Sequence, residues 1–380
     1  MLLDIHLKLR KYIFWYFNII EMQCIPAVGY SMIDKGKALI FPLLLSASVF
    51  CNAWHLSYQV DSLNNLLDIS ININFAIGGL QAIITNGIVN FILKEKHLIV
   101  LKYFDKIVQS KEELLIEARE QKLKGSLEFV EGLANISFGC ILTLTGAGLF
   151  QTNYVSPLFY TIPGISESSF LFRPANIIIQ IFFSYLICYG VITSDLQSAI
   201  YLFYFHGEFS SIKVVTERLG EKRNLISRES GKILKTVYEA HLEVLSGFSD
   251  LSVILWHFYS HKMLAACLYL CSALFAYTKS NSLVTAVVFV LSVLLQLFIL
   301  CLPAQVIEDS SEEFRKTLYN KVLWYEMSPE NQKQFSMIFM GSQRGIEAKT
   351  FGVGKISVYT FLQIVKAAFS YAAFVYTVLL

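Results

Sequence analysis

Histidine, cysteine and amide side chains are the residues whose spacing could carry chemistry in this chain. His257 and His261 lie four apart, one helical turn, and could share a metal ion. A tetrahedral or facial site needs a third ligand. No obvious one is placed, so the pair reads as a face of an interfacial helix. Seven cysteines stand at positions 24, 51, 140, 188, 267, 271 and 301, with no C-x-x-C pair. Six of them fall in strongly apolar stretches, where reduced cysteine behaves as a small hydrophobe. There is no GxxxxGK[ST] and no HExxH. Neither enzymatic chemistry, nor a metal, nor a cofactor is expected.

Two polar series remain. Asn72, Asn74, Gln81, Asn86 and Asn90 punctuate one apolar stretch. Such side chains bond a neighbouring helix or line a wet cavity. Near the end of the chain, Tyr359, Gln363, Lys366, Ser370, Ala373 and Thr377 recur at steps of three and four. They form one polar-to-small stripe on a helix, with Leu362, Val365, Phe369, Ala372 and Tyr376 as its apolar side. A stripe of this kind packs closely on other helices or lines water. The pattern alone leaves both open.

The elements that carry these residues are set by the composition. Of 380 residues, 55% are hydrophobic and only 16% charged, against about 25% charged in a soluble domain. With 31 basic and 29 acidic residues, there is no electrostatic case for nucleic acid. The chain reads as a polytopic membrane protein in a lipid bilayer. A helix needs about 20 apolar residues to cross the hydrocarbon. Charge-free stretches place spans at 38–60, 69–93, 132–150, 174–194, 263–278, 280–307 and, broken only by Lys366, 356–380. The fifth is short, but the uncharged run 251–261 precedes it, so its helix enters the membrane near His257. A tight turn at 279–281 joins the fifth to the sixth. Lys and Arg outside the spans total 28 on one set of alternate sides and two on the other. By the positive-inside rule the N-terminus is cytoplasmic and the C-terminus extracellular. No cleavable signal peptide is expected. The aromatic run 12–20 is too short to span and lies in the interface or against the bundle. Asn135-Ile136-Ser137 fits the glycosylation sequon but falls at the inner end of the third span, out of the enzyme's reach.

The basic segments are themselves helical. Residues 94–131, 208–256 and 308–343 carry apolar positions at near-helical spacing among their charges, so the spans extend below the membrane. Ser328-Pro329 reads as a helix start, Ser at the cap and Pro in the first turn, with Phe335, Ile338 and Phe339 as its apolar side. Glycines 341, 345, 352 and 354 then break the chain, so the seventh helix comes in two pieces. The expected fold is all-α, seven transmembrane helices above a helical cytoplasmic anchor layer. Residues 1–307 form a six-helix bundle with cytoplasmic extensions, 308–355 a cytoplasmic segment with the first part of helix 7, and 356–380 its membrane part; the resemblance given below implies that these are, in turn, a ligand-binding bundle, an anchor segment and a pore-forming helix.

Seven spans also describe a G-protein-coupled receptor, but the topology is inverted, no Asn-Pro-x-x-Tyr occurs and no Asp/Glu-Arg-Tyr closes the third helix. The C-terminal third instead resembles the insect odorant receptors. The matching residues are Pro303-Ala304-Gln305, Ser310-Ser311 with Leu318-Tyr319, Trp324-Tyr325, Gln343-Arg344, and Gly354-Lys355-Ile356-Ser357. Thr360-Phe361 follows, and the series runs through Ile364-Val365-Lys366 to Phe369-Ser370-Tyr371. The related gustatory receptors, which would make a homotetrameric ligand-gated channel, carry a Thr-Tyr…Gln-Phe pattern that is missing here.

The resemblance implies an odorant-gated, non-selective cation channel of the plasma membrane of olfactory sensory neurons. A tuning subunit pairs with a common co-receptor in a heterotetramer around one pore. Segment 203–262 lacks the long insertion of the co-receptor, so this chain is similar to a tuning subunit. The family's pocket lies in the outer half, among helices 2, 3, 4 and 6. That points to Asn72, Phe75, Thr143, Phe150, Ile178, Phe182, Tyr185 and Tyr277 as ligand-binding residues for a small neutral volatile. In the last helix, Ser370, Ala373 and Thr377 should face the pore axis. Phe374 and Val378 should stand beside them near the outer end, where the family's hydrophobic gate falls on Phe374 or Val375. Lys366 should snorkel towards the cytoplasmic side.

Overall fold

The computed structural model describes residues 2–19, 32–59, 66–89, 92–152, 158, 160–166, 168–221, 227–279, 283–351 and 354–379. Ten α-helices account for most of them: α1 (Leu2–Ile19), α2 (Met32–Gln59), α3 (Leu66–Ile83), α4 (Lys94–Gln109), α5 (Glu113–Thr152), α6 (Phe172–Glu217), α7 (Ser227–Lys279), α8 (Leu283–Asn320), α9 (Pro329–Ser342) and α10 (Val358–Leu379). All seven predicted spans fall on helices, and the fold is all-α. By length and composition, three described segments are apolar enough to cross a membrane: Ile40–Ser57, Phe172–Gly220 and Val293–Asn320, with Val358–Phe374 a shorter apolar helix. The turn expected at 279–281 lies largely outside the described residues.

The helices run well past the bilayer. At 1.5 Å per residue, the 53 residues of α7 make a rod of about 80 Å, more than twice the hydrocarbon thickness. The excess coincides with the charged helical segments expected beyond the spans. There α4 packs on α7, α5 on α6, α6 on α8, and α9 on both α7 and α8. Its interior is aromatic: Phe104 stacks on Tyr204 with ring centroids 4.1 Å apart. The α5–α6 contact is close at Gly207, where an added Cβ would lie 2.8 Å from the Leu123 Cα. No side chain fits there without moving a backbone. The short helix α1, with the aromatic run at its end, lies against the bundle through Leu2, Ile5, Leu9 and Ile13, all buried.

The sequence signals at α9 hold. Ser328 caps it, its hydroxyl accepting from the Asn331 N–H at 3.4 Å, and Pro329 occupies the first turn. Phe335 and Ile338 are buried. Between α9 and α10 the chain forms a two-residue hairpin, β1 (Lys349–Thr350) against antiparallel β2 (Gly354–Lys355), in register Lys349↔Lys355. Gly354 has φ of 80°, a conformation that glycine adopts without strain. The hairpin is stitched to α7 by Ser260 and Thr350, whose hydroxyls are 2.9 Å apart. Lys355 pairs with Glu308 of α8, and Thr360 Oγ1 donates to the Lys355 carbonyl at 2.6 Å, fixing the start of α10.

Candidate functional site

Two regions concentrate the residues singled out above. The first is the core of the bundle at the end remote from α9, where α2, α3, α6 and the segment before α6 meet. Asn72 of α3 is buried and accepts from Asn52 Nδ2 of α2 at 3.0 Å. Asn74 accepts from Ser272 Oγ of α7 at 2.6 Å, and Asn86 Nδ2 donates to the Ala82 carbonyl at 2.8 Å. Asn72 and Asn74 thus bond neighbouring helices. Asn90 lies outside the described residues. Phe75 sits edge-on to the fully buried Tyr160 at 5.9 Å, and Tyr160 is edge-on to Phe183 of α6 at 5.6 Å. Asn176 is also fully buried and accepts from the Ile162 N–H at 2.8 Å, which holds the segment before α6 over the bundle. The Tyr160 hydroxyl and the Asn176 amide nitrogen are buried without a hydrogen-bond partner among the described residues. A buried polar group left unpaired costs about 1–3 kcal/mol, so two aromatic-walled, unpaired donors mark a place suited to a polar atom from outside.

The structure brings Asn72 and Phe75 into this core but not the three α6 residues named with them. Ile178, Phe182 and Tyr185 are 65%, 46% and 43% exposed, on the outer face of α6. The inward stripe is Asn176, Gln180, Phe183 and Ile187, at steps of four, three and four. The signal for it was present: Asn176 and Gln180 are the polar interruptions of an apolar stretch, and such residues turn towards neighbouring helices. Thr143 and Phe150 on α5 and Tyr277 on α7 belong to helices, but their side chains lie outside the described residues. Tyr160 went unnoticed because it falls between spans.

The second region is α10. It rests on α7 and α8 through Ile364, Val365, Ala368 and Ala372, packed with Tyr269, Leu270 and Val293. Lys366, Ser370, Ala373 and Thr377 are exposed, and Phe374 is 63% exposed. Thr377 Oγ1 donates to the Phe374 carbonyl at 2.7 Å. The side chains of Val375 and Val378 lie outside the described residues. The packing face is narrower than the apolar side read from the pattern. Leu362 and Phe369, expected on it, are also exposed, because small alanines rather than large residues make the close contact.

One charged pair escaped the sequence reading. Asp195 of α6 and Lys262 of α7 are buried together as an ion pair. The ammonium also donates to Ser194 Oγ at 2.7 Å and the Val191 carbonyl at 3.1 Å, and Gln296 of α8 donates to Asp195 at 3.2 Å. Three helices are thereby tied at the level where the hairpin meets α7. Both residues sit one position beyond a charge-free stretch, so they read as loop charges. Among the described residues no group of acidic, histidine and cysteine side chains could hold a metal. His261 instead meets Thr85 Oγ1 at 2.7 Å.

The geometry can be set beside known proteins. The fold matches the insect olfactory receptor OR5 from Machilis hrabei with a TM-score of 0.74 at 12% identity, covering 97% of this chain and 98% of that one. The structure of the same receptor in complex with eugenol matches with a TM-score of 0.76 at 12% identity, covering 98% and 99%. No curated protein matches the sequence. The family model described as 7tm Odorant receptor matches residues 96–369, nearly three-quarters of the chain, including α6 and most of α10 but not α2 or α3. On that match, with helices of this length and apolarity, the chain belongs to the odorant receptor family and is a receptor-type membrane protein, not an enzyme.

Proposed function

We propose that this chain is the odorant-binding subunit of a ligand-gated, non-selective cation channel. It works with a co-receptor in a heterotetramer of the olfactory neuron's plasma membrane, with its N-terminus cytoplasmic. One observation carries the reading. The last helix buries only an alanine-based face against its own bundle and leaves Lys366, Ser370, Ala373, Phe374 and Thr377 open. An apolar terminal helix with a polar stripe and no intrachain cover suits a pore wall shared between subunits. Phe374, with Val378 beside it, makes the hydrophobic seal, and Thr377 offers a permeating ion a hydroxyl.

The ligand sits in the core remote from α9. Phe75, Tyr160 and Phe183 supply aromatic walls, the free donors of Tyr160 and Asn176 supply orientation, and Asn72 stands beside them. Thr143, Phe150 and Tyr277 lie on helices bordering this core. Ile178, Phe182 and Tyr185 serve the outer face of α6. Apart from the spare donors of Tyr160 and Asn176 few hydrogen-bonding or ionic groups converge here, so the ligand is a small neutral volatile with few polar oxygens. Eugenol, with which the Machilis receptor was solved in complex, is a small neutral molecule with a phenol and a methoxy oxygen.

The test is current from cells expressing the chain with and without the co-receptor, with cysteine at Phe374 and Thr377. Odorant-evoked current is expected only in the pair. External thiol reagents should modify both cysteines, faster with odorant, and change the current. Silence of both positions, together with unchanged ion selectivity in Thr377→Ala, would put the pore elsewhere. An epitope at residue 1 should be protected in intact cells and one at residue 380 exposed.

A further inference from the structure

A groove of about 550 Å³ opens where α7 meets the segment between α9 and the hairpin. Phe248, Val253 and Trp256 make its apolar wall, and Arg344, Glu347 and Lys349 face them. The volume lies in the range of small-molecule sites, about 300–1,000 Å³. The charged side is of mixed sign. Lys349 Nζ lies 3.0 Å from Glu347. Arg344 is exposed and makes no ion pair among the described residues. Its five guanidinium donors are therefore free for a planar or tetrahedral anion.

The apolar side does not end at the groove. Trp256 is exposed and edge-on to the exposed Phe351 at 6.5 Å. Further along the same helix Leu264 and Leu268 are exposed too, one turn apart on a face that lies about 80–120° around the helix from Trp256. Exposed Trp at such a position is an interfacial anchor. The leucines beyond it point into hydrocarbon. A cationic notch thus sits directly under an apolar track, on the side assigned to the cytoplasm.

We propose that this groove binds a phosphatidylserine-type lipid of the cytoplasmic leaflet. Its phosphodiester meets Arg344, its carboxylate Lys349 and its ammonium Glu347, while its acyl chains lie along Trp256, Leu264 and Leu268. The lining selects among headgroups. A polyphosphoinositide brings several negative charges against two cations, one already compensated, and places phosphate beside Glu347. A choline headgroup offers Arg344 the same phosphodiester but has no carboxylate for Lys349 and no N–H for Glu347. A phosphatidylserine headgroup carries all three complementary charges, and the cytoplasmic leaflet is where anionic lipid attracts basic segments. Bound there, it braces segment 344–349 against α7, where the chain turns through the hairpin into α10.

The proposal rests on the cytoplasmic orientation proposed above, yet its test does not. Full-length receptor in neutral detergent is titrated with phosphatidylserine, phosphatidylcholine or phosphatidylinositol bisphosphate, and bound lipid is counted by native mass spectrometry. Phosphatidylserine should be retained about tenfold over phosphatidylcholine, a difference of about 1.4 kcal/mol. Lys349→Gln and Glu347→Gln should each erase most of that preference, with unchanged melting of the receptor. Arg344→Gln should weaken both lipids alike, while Lys316→Gln at a remote exposed site changes neither. Equal retention of the serine and choline lipids overturns the site. So does tighter binding of the bisphosphate, or a preference that survives both Lys349→Gln and Glu347→Gln. Epitope labelling fails separately if the orientation is reversed.

Discussion

The anchor layer and the remote core of the bundle use polar residues in opposite ways. In the anchor layer the polar groups are ionised and paired across elements. Lys96 meets Asp250 at 2.6 Å and Lys106 meets Glu243 at 2.7 Å, joining α4 to α7; Lys213–Glu313 and Lys321–Glu217, at 2.7 and 2.8 Å, join α6 to α8. Most of these are exposed and individually worth little. One is not: Arg119 of α5 and Glu208 of α6 are both buried, with Nε donating to the carboxylate at 2.9 Å. In the remote core the buried polar groups include neutral amides and a phenol, and the Tyr160 hydroxyl and the Asn176 amide nitrogen are spare among the described residues. Paired charges fix one geometry, because moving either partner strands the other. Neutral donors with a free valence tolerate a guest. The holder and the receptor of one chain are thus separable by the kind of polarity each buries.

The largest expected effect breaks the holder. Glu208→Ala leaves the Arg119 guanidinium buried and unpaired, a loss of about 3–5 kcal/mol for a buried pair. Receptor monitored by size exclusion after heating should aggregate at markedly lower temperature. The double change Arg119→Met with Glu208→Leu removes both charges and should recover most of the loss. If Glu208→Ala melts like the parent, the buried pair does not hold α5 to α6. Exposed Lys106→Ala is the internal contrast and should cost under about 1 kcal/mol.

The next effect comes from histidines in the same layer. Burial pushes His97 down to about 3 and His241 to about 4. His97 is held neutral among Tyr201 and Gln197, whose Nε2 donates to its Nδ1 at 3.2 Å. His241 lies among the rings of Phe209 and Phe314. Both folded values lie below the ordinary 6.5. The unfolded chain therefore binds more protons as pH falls below 6.5, and the stabilisation present above that pH is lost down to the folded values. At pH 5 the cost is about 2 kcal/mol for a histidine that stays neutral when folded. Melting should fall between pH 7 and 5, and His97→Gln should flatten part of that slope. A slope unchanged in this variant assigns the pH sensitivity to other groups.

How much of this was readable in advance follows from which forces dominate. Every charge-free stretch fell on a helix, because hydrocarbon excludes charge whatever the packing. Ser328-Pro329 located α9, because capping is a local interaction. Helical phase was harder. On α6 the choice between the stripe through Ile178, Phe182 and Tyr185 and the one through Asn176, Gln180 and Phe183 depends on neighbours, and apolar residues populate both faces of a membrane helix. On α10 the same ambiguity hid the alanine face. Asp195 and Lys262 were invisible for another reason: a charge at the end of an apolar run looks solvated until the long helices are seen to continue past it.

The smallest effect is the sharpest test of the receptor end, and it uses one atom on two faces of the structure. Tyr160→Phe removes a buried hydroxyl that bonds nothing among the described residues. Removing an unsatisfied buried group leaves the fold as stable or slightly more so. If that hydroxyl orients the ligand, the same change removes a hydrogen bond worth about 1 kcal/mol, a shift of about fivefold in the odorant concentration for half-maximal current. It should appear for ligands with a hydrogen-bonding oxygen and vanish for hydrocarbon analogues of the same shape. Tyr185→Phe deletes the equivalent atom from the outer face of α6, where the side chain is 43% exposed, and should shift neither. A response altered by Tyr185→Phe but not by Tyr160→Phe would move the ligand to the outer face of α6 and with it the distinction drawn between the two ends of the bundle.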